Sequence, residues 1–84
     1  MQNERSQIII GRFFLALNLL ISNKTLRGKK TFCDVVGCNR RNFYALEHNY
    51  ASDIFQASWL SVLVVNYHIS ADWLLTGRGD MLTQ

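Results

Sequence analysis

Apolar residues recur every third or fourth position along most of the chain, and polar or glycine-bearing breaks separate the runs. In IIIGRFFLALNLLIS (8–22), Ile10, Phe13, Phe14, Leu17, Leu20 and Ile21 follow the i, i+3, i+4, i+7 spacing of a helix with one buried face. Ile8, Ile9, Leu15 and Leu19 fall outside that stripe, so this helix is expected to be covered on more than one side. Ser22-Asn23 breaks the period, and Arg27-Gly28-Lys29-Lys30 reads as a basic loop. A second, short helix is predicted over about 30–36, with Phe32, Val35 and Val36 turned inward. Gly37 stands where that helix must stop, since glycine enters the left-handed region without a Cβ clash.

Asn39 is placed to cap a third helix over about 40–47, its side-chain oxygen accepting from the first amides. Phe43 and Leu46, three apart, are that helix's buried positions. HNYASD (48–53) reads as a polar loop. Ala57 to Tyr67 forms a fourth helix with Trp59, Leu60, Leu63, Val64 and Tyr67 on one face, so these aromatics belong to the core before they belong to any ligand. His68 and Ile69 make a turn, and Ser70 caps a last short helix, ADWLL, with Asp72 near its positive end. Gly77 ends it, and RGDMLTQ trails away. The β-branched run VLVV lies inside a helical period, so no strand is predicted. The expectation is an all-α, compact five-helix domain over residues 1–84.

Composition narrows the picture further. Eighty-four residues make one domain with a modest core, and the absence of proline suits helices joined by short turns. Cys33 and Cys38 form neither a disulfide framework nor half of a zinc site, because His48 and His68 are not at a zinc spacing. They read as small buried hydrophobes in a reducing, cytoplasmic setting. The apolar run 8–22 is too short to span a bilayer and carries Gly11, Arg12 and Asn18, so a core helix is expected and no membrane partner. MQNERSQ contains an acid, and no cleavage pattern follows the run, which argues against a signal peptide. No nucleophile elbow, phosphate-cradling glycine loop or metal set is present. An enzyme is not expected, nor a cofactor or small-molecule substrate.

The charge is unevenly placed. From Lys24 to Arg41 there are six bases (Lys24, Arg27, Lys29, Lys30, Arg40, Arg41) against Asp34, a net +5. The remainder holds three bases and five acids, a net −2. An ordinary helical hairpin with solvated arginines accounts for the apolar pattern equally well. It does not account for bases gathered at the exposed start of the third helix while the rest of the chain is acidic on balance. Residues 29–48 also satisfy the steric needs of a helix-turn-helix. Cys33 is a small residue where the helices cross, Gly37 supplies the turn, and Phe32, Val36, Cys38, Phe43 and Leu46 face inward.

From about residue 7 to 79 the chain resembles the lambda-repressor-like helix-turn-helix domain of phage repressors and related bacterial regulators. ISADWLLTGRGDM (69–81) is similar to that family's fifth-helix signature, and GCNRRNFYALE (37–47) to its turn, recognition helix and terminal glutamate. Two departures stand out: a lengthened loop after the recognition helix, without basic residues, and Cys33 in place of the usual alanine. The resemblance implies binding to a double-stranded DNA operator as a homodimer, in transcriptional control. It implies a bacterial or phage-encoded protein acting at the nucleoid, and family members often carry a further C-terminal domain. Base contacts are expected from Arg40, Arg41, Asn42, Tyr44 and Ala45. A guanidinium reads guanine bidentately, Asn42 suits adenine or a phosphate, and Ala45 offers a methyl. Phosphate contacts are expected from Arg27, Lys29, Lys30 and Thr31, grouped about a helix N-terminus. Glu47 is expected to cap or pair within the fold, since an acid facing phosphate would repel it. The competing class is a protein-interaction module of the same fold, antitoxin-like or antirepressor-like, without operator binding.

Overall fold

A computed structural model describes residues 3–52 and 54–83. Asp53 and Gln84, the last residues of the predicted loop and tail, lie outside that range. The described chain is all-helical, with α1 (Glu4–Ser22), α2 (Lys29–Val36), α3 (Arg40–His48), α4 (Ala57–Tyr67) and α5 (Ala71–Thr76). The third, fourth and fifth helices begin where the sequence pattern places them. α1 does not: it starts four residues early, because the Asn3 side chain accepts from the Ser6 amide at 2.8 Å and nucleates a polar first turn. A periodicity rule that follows apolar positions passes over such a turn.

The longer α1 also corrects the expectation that it is too short for a bilayer. At nineteen residues it is long and apolar enough by length and composition alone. Its inward side chains, Ile10, Phe13, Phe14, Ala16, Leu17 and Leu20, are instead the centre of the protein's own core. α1 packs against α4 and α5, and α2 packs against α3. Phe13 sits at the middle with its ring centroid 5.1–6.1 Å from those of Phe14, Phe32, Phe43, Phe55 and Trp59. Four of these five pairs are edge-on, the arrangement that ring quadrupoles favour. Residues from α1, α2, α3, α4 and the segment before α4 thus meet around one side chain.

Burial departs from the periodic expectation in both directions. Ile8 and Leu15, seven apart on one line of α1, are 48% and 58% exposed, so this helix is not covered on all its apolar sides. Val35, predicted inward, is 49% exposed, whereas Cys33 takes the buried place beside Phe32. Leu26, just ahead of the stretch read as a basic loop, is buried, its amide donating to the Leu20 carbonyl at 3.0 Å. The loop after α3 is less polar in effect than in composition. Tyr50 stacks on Phe14 at 5.8 Å and 10°, and lies against Gly11, where an added Cβ would stand 3.4 Å from the tyrosine ring.

The C-terminal residues do not trail away. His68 enters the left-handed region and ends α4, and the chain 81–83 returns to pair with 68–70. The Ser70 amide donates to the Met81 carbonyl and the Thr83 amide to the His68 carbonyl, each at 2.7 Å, forming an isolated antiparallel bridge between Ile69 and Leu82. Ser70 caps α5 as expected, accepting from the Trp73 amide. Arg12 reaches across from α1 to donate to the Leu74 carbonyl near the C-terminal end of α5.

Gly77 ends α5 at φ +78, and a Cβ there would lie 2.9 Å from Arg12 Nη2. Gly77→Ala is expected to cost about 1–2 kcal/mol from the left-handed backbone, and to push Arg12 off the Leu74 carbonyl. Gly79→Ala, at φ +80 with open surroundings, carries the backbone cost alone. Thermal melts of the two variants should therefore rank Gly77→Ala the lower; equal midpoints would remove any role for the Arg12 contact.

Candidate nucleic-acid interface

The α2–α3 pair is fixed by its turn. Gly37 adopts φ +74, and both its amide and that of Cys38 donate to the Cys33 carbonyl, at 2.8 and 3.0 Å. These bonds satisfy the end of α2 and turn the chain sharply. Asn39 then caps α3, its side-chain oxygen accepting from the Arg41 amide at 2.8 Å and the Asn42 amide at 3.3 Å. Behind the turn, Phe32 and Cys33 of α2 meet the core alongside Phe43 and Leu46 of α3, all fully buried. Both cysteines are free thiols. Burial, a hydrogen bond to Cys38 and nearby negative charge push the Cys33 thiol up to about 12, so it stays protonated at neutral pH.

With Phe43 and Leu46 inward, the remaining positions of α3 are assigned by rotation of about 100° per residue. Arg41, Tyr44 and Ala45 fall on the side opposite the core, and all three are exposed. Arg40 and Asn42 are exposed as well but flank that stripe. Arg40 lies on the same edge as Glu47. Asn42 lies on the other edge, where it lines a cleft of ≈ 350 Å³ with Gly37, Cys38, Asn39, Ile54, Gln56 and Trp59. His48 shares the outward line seven residues after Arg41 and is exposed; it was missed as a candidate. The i+7 spacing from Arg41 was the signal that could have found it.

The bases ahead of α3 divide into two kinds. Arg27 and Lys30 are exposed, as is Lys24, which stands at φ +67 in the turn after α1. Thr31 is half-buried. Lys29 is ion-paired with Glu47, joining the first residue of α2 to the last turn of α3. Glu47 therefore pairs within the fold, as expected, and takes up part of the charge assigned to Lys29. The N-terminus of α2 has Gly28 at its cap position and no side-chain cap, unlike α1, α3 and α5.

Comparison with known proteins adds no relative: no protein-family model, curated protein or solved structure matches the chain.

Proposed function

We propose that this chain is a double-stranded DNA-binding protein of the lambda-repressor-like helix-turn-helix class, acting as a transcriptional regulator with α3 as its recognition helix. The observation that carries the reading is the two-sidedness of α3. Its back is pinned by Phe43 and Leu46, while its exposed face carries Arg40, Arg41, Asn42, Tyr44 and Ala45. A helix held this way can enter a major groove as a rigid body, so its side chains meet base edges without first being ordered. In this arrangement Arg41, Tyr44 and Ala45 face the bases. Arg40 and Asn42, at the edges, reach flanking bases or phosphates. Arg27, Lys30, Thr31 and the uncapped amides of α2 hold the backbone, with Lys29 contributing what its pairing to Glu47 leaves.

A palindromic operator requires two copies. Ile8 and Leu15 on α1, Val65 on α4 and Leu75 on α5 are exposed apolar residues on elements other than the α2–α3 pair. Leu60, Val64, Val65, Leu74 and Leu75 also line an apolar depression of ≈ 210 Å³. This surface suits a homodimer that sets two recognition helices about 34 Å apart. The same surface favours the second reading, a protein-interaction module of this fold that does not bind an operator. A DNA-binding role would place the protein in the cytoplasm, at the nucleoid.

Fluorescence anisotropy against a random duplex pool at low and moderate salt tests the reading. Salt-sensitive binding is expected; a chain folded by circular dichroism that binds nothing at low salt sinks it. Glu47→Gln sharpens the test. Freeing Lys29 should tighten binding and steepen the salt slope by about 0.9 for one added phosphate contact. Loss of this partly exposed pair should change stability by only about 0–1 kcal/mol. An unchanged slope would take Lys29 off the phosphate backbone.

A further inference from the structure

The meeting of the two cysteines has no part in DNA recognition, yet its geometry is that of a reactive pair. The Cys38 amide donates to the Cys33 carbonyl at 3.0 Å. Standard bond lengths then keep the two Cα atoms within about 7 Å, about the span that a disulfide bridges. Cys38 packs against the core cluster that contains Cys33, and the two stand at the positions whose side chains commonly meet across this kind of helix end. Their exposure differs. Cys33 is buried, while Cys38 is partly exposed and lines the cleft shared with Gly37, Asn39, Asn42, Gln56 and Trp59. A small oxidant entering that cleft meets Cys38 first, with Cys33 directly behind it.

We propose that Cys33 and Cys38 are a peroxide-reactive dithiol that closes to an intramolecular disulfide across the α2–α3 turn. The Cys38 sulfur, as thiolate, attacks one oxygen of hydrogen peroxide and the O–O bond breaks. The departing hydroxide takes up the proton that Cys38 released, giving water and a Cys38 sulfenic acid. The Cys33 sulfur then attacks the Cys38 sulfur; the S–S bond forms, the S–O bond breaks, and the second hydroxide leaves as water with the Cys33 proton. Two thiols have lost two electrons and one peroxide has become two waters. Cys33 is buried, so peroxide does not reach it first; it meets the Cys38 sulfur from within the fold and gives up its proton as it attacks. The new bond ties the last turns of α2 to the residue that precedes the Asn39 cap, so the junction that aims α3 becomes sensitive to oxidation.

The test treats the reduced, folded chain with equimolar hydrogen peroxide and follows titratable thiols and intact mass. Both thiols should be lost in a monomeric product lighter by two hydrogens, and dithiothreitol should restore them. Closure should be faster in the folded chain than in urea, because the turn holds the sulfurs together only when formed. Cys33→Ala should stop at a sulfenic acid, one oxygen heavier and captured by dimedone, while Cys38→Ser should keep its remaining thiol. Retention of both thiols in the folded wild-type chain would overturn the proposal. So would a product linked between chains, or closure no faster than in urea.

Discussion

Phe13→Ala is expected to leave the protein largely unfolded at temperatures where the parent chain is folded. Phe13 is fully buried, and its ring centroid lies within 6.1 Å of those of five other aromatic rings, one on α1 itself and four from further segments. Truncation removes its own burial and leaves those rings facing a cavity that they cannot all collapse into, a loss of about 3–5 kcal/mol. Domains have only about 5–15 kcal/mol of stability, and one this small belongs near the bottom of that range. At about 4–8 °C per kcal/mol, the midpoint should fall by at least ~12 °C, read by circular dichroism on heating. Leu15→Ala is the control: that side chain is 58% exposed, and its loss should stay within about 0.5 kcal/mol. A Phe13→Ala midpoint close to that of the control would mean that the ring cluster is not what holds the helices together.

The second large effect is on binding. On the DNA reading, the Arg40→Ala/Arg41→Ala double variant should lose about 2–6 kcal/mol of specific affinity, taking about 1–3 kcal/mol for each bidentate guanidinium contact. At 1.4 kcal/mol per factor of ten, that is a loss of about 30-fold or more. Both side chains are exposed and neither is ion-paired among the described residues, so the thermal midpoint should barely move. The single variants should differ. Arg41 stands in the middle of the outward face, so Arg41→Ala should relax sequence preference. Arg40 stands at the edge, where it reads a flanking base, so Arg40→Ala should relax the preference only toward the end of the site. Undiminished affinity in the folded double variant would move the binding face off α3 altogether.

These residues also show how much of the candidate site could be read from the chain. The turn, the cap and the two inward residues of α3 were all legible, since each is set within a few residues by backbone geometry. Gly37 is left-handed because the chain reverses there, and Asn39 caps because the next amides have no other acceptor. The division between outward Arg41 and edge-lying Arg40 and Asn42 follows from those two inward residues by helix rotation, so it too lies within reach of the sequence. The pairing of Lys29 with Glu47 crosses eighteen residues, and only the docking of α2 on α3 brings the two together.

The same boundary runs through the whole molecule. The sequence alone determined that the chain is helical, where α3, α4 and α5 begin, and which glycines and asparagines punctuate them, because periodicity and caps act within one or two turns. The tertiary structure alone decided which apolar positions are covered. It left Ile8, Leu15 and Val35 in the open and drew in Leu26, and it brought Tyr50 onto Phe14 and the residues after Gly79 back onto Ile69. Burial is a property of what lies across from a side chain, and the partners here come from segments far apart in the chain. Local pattern carries no record of that meeting.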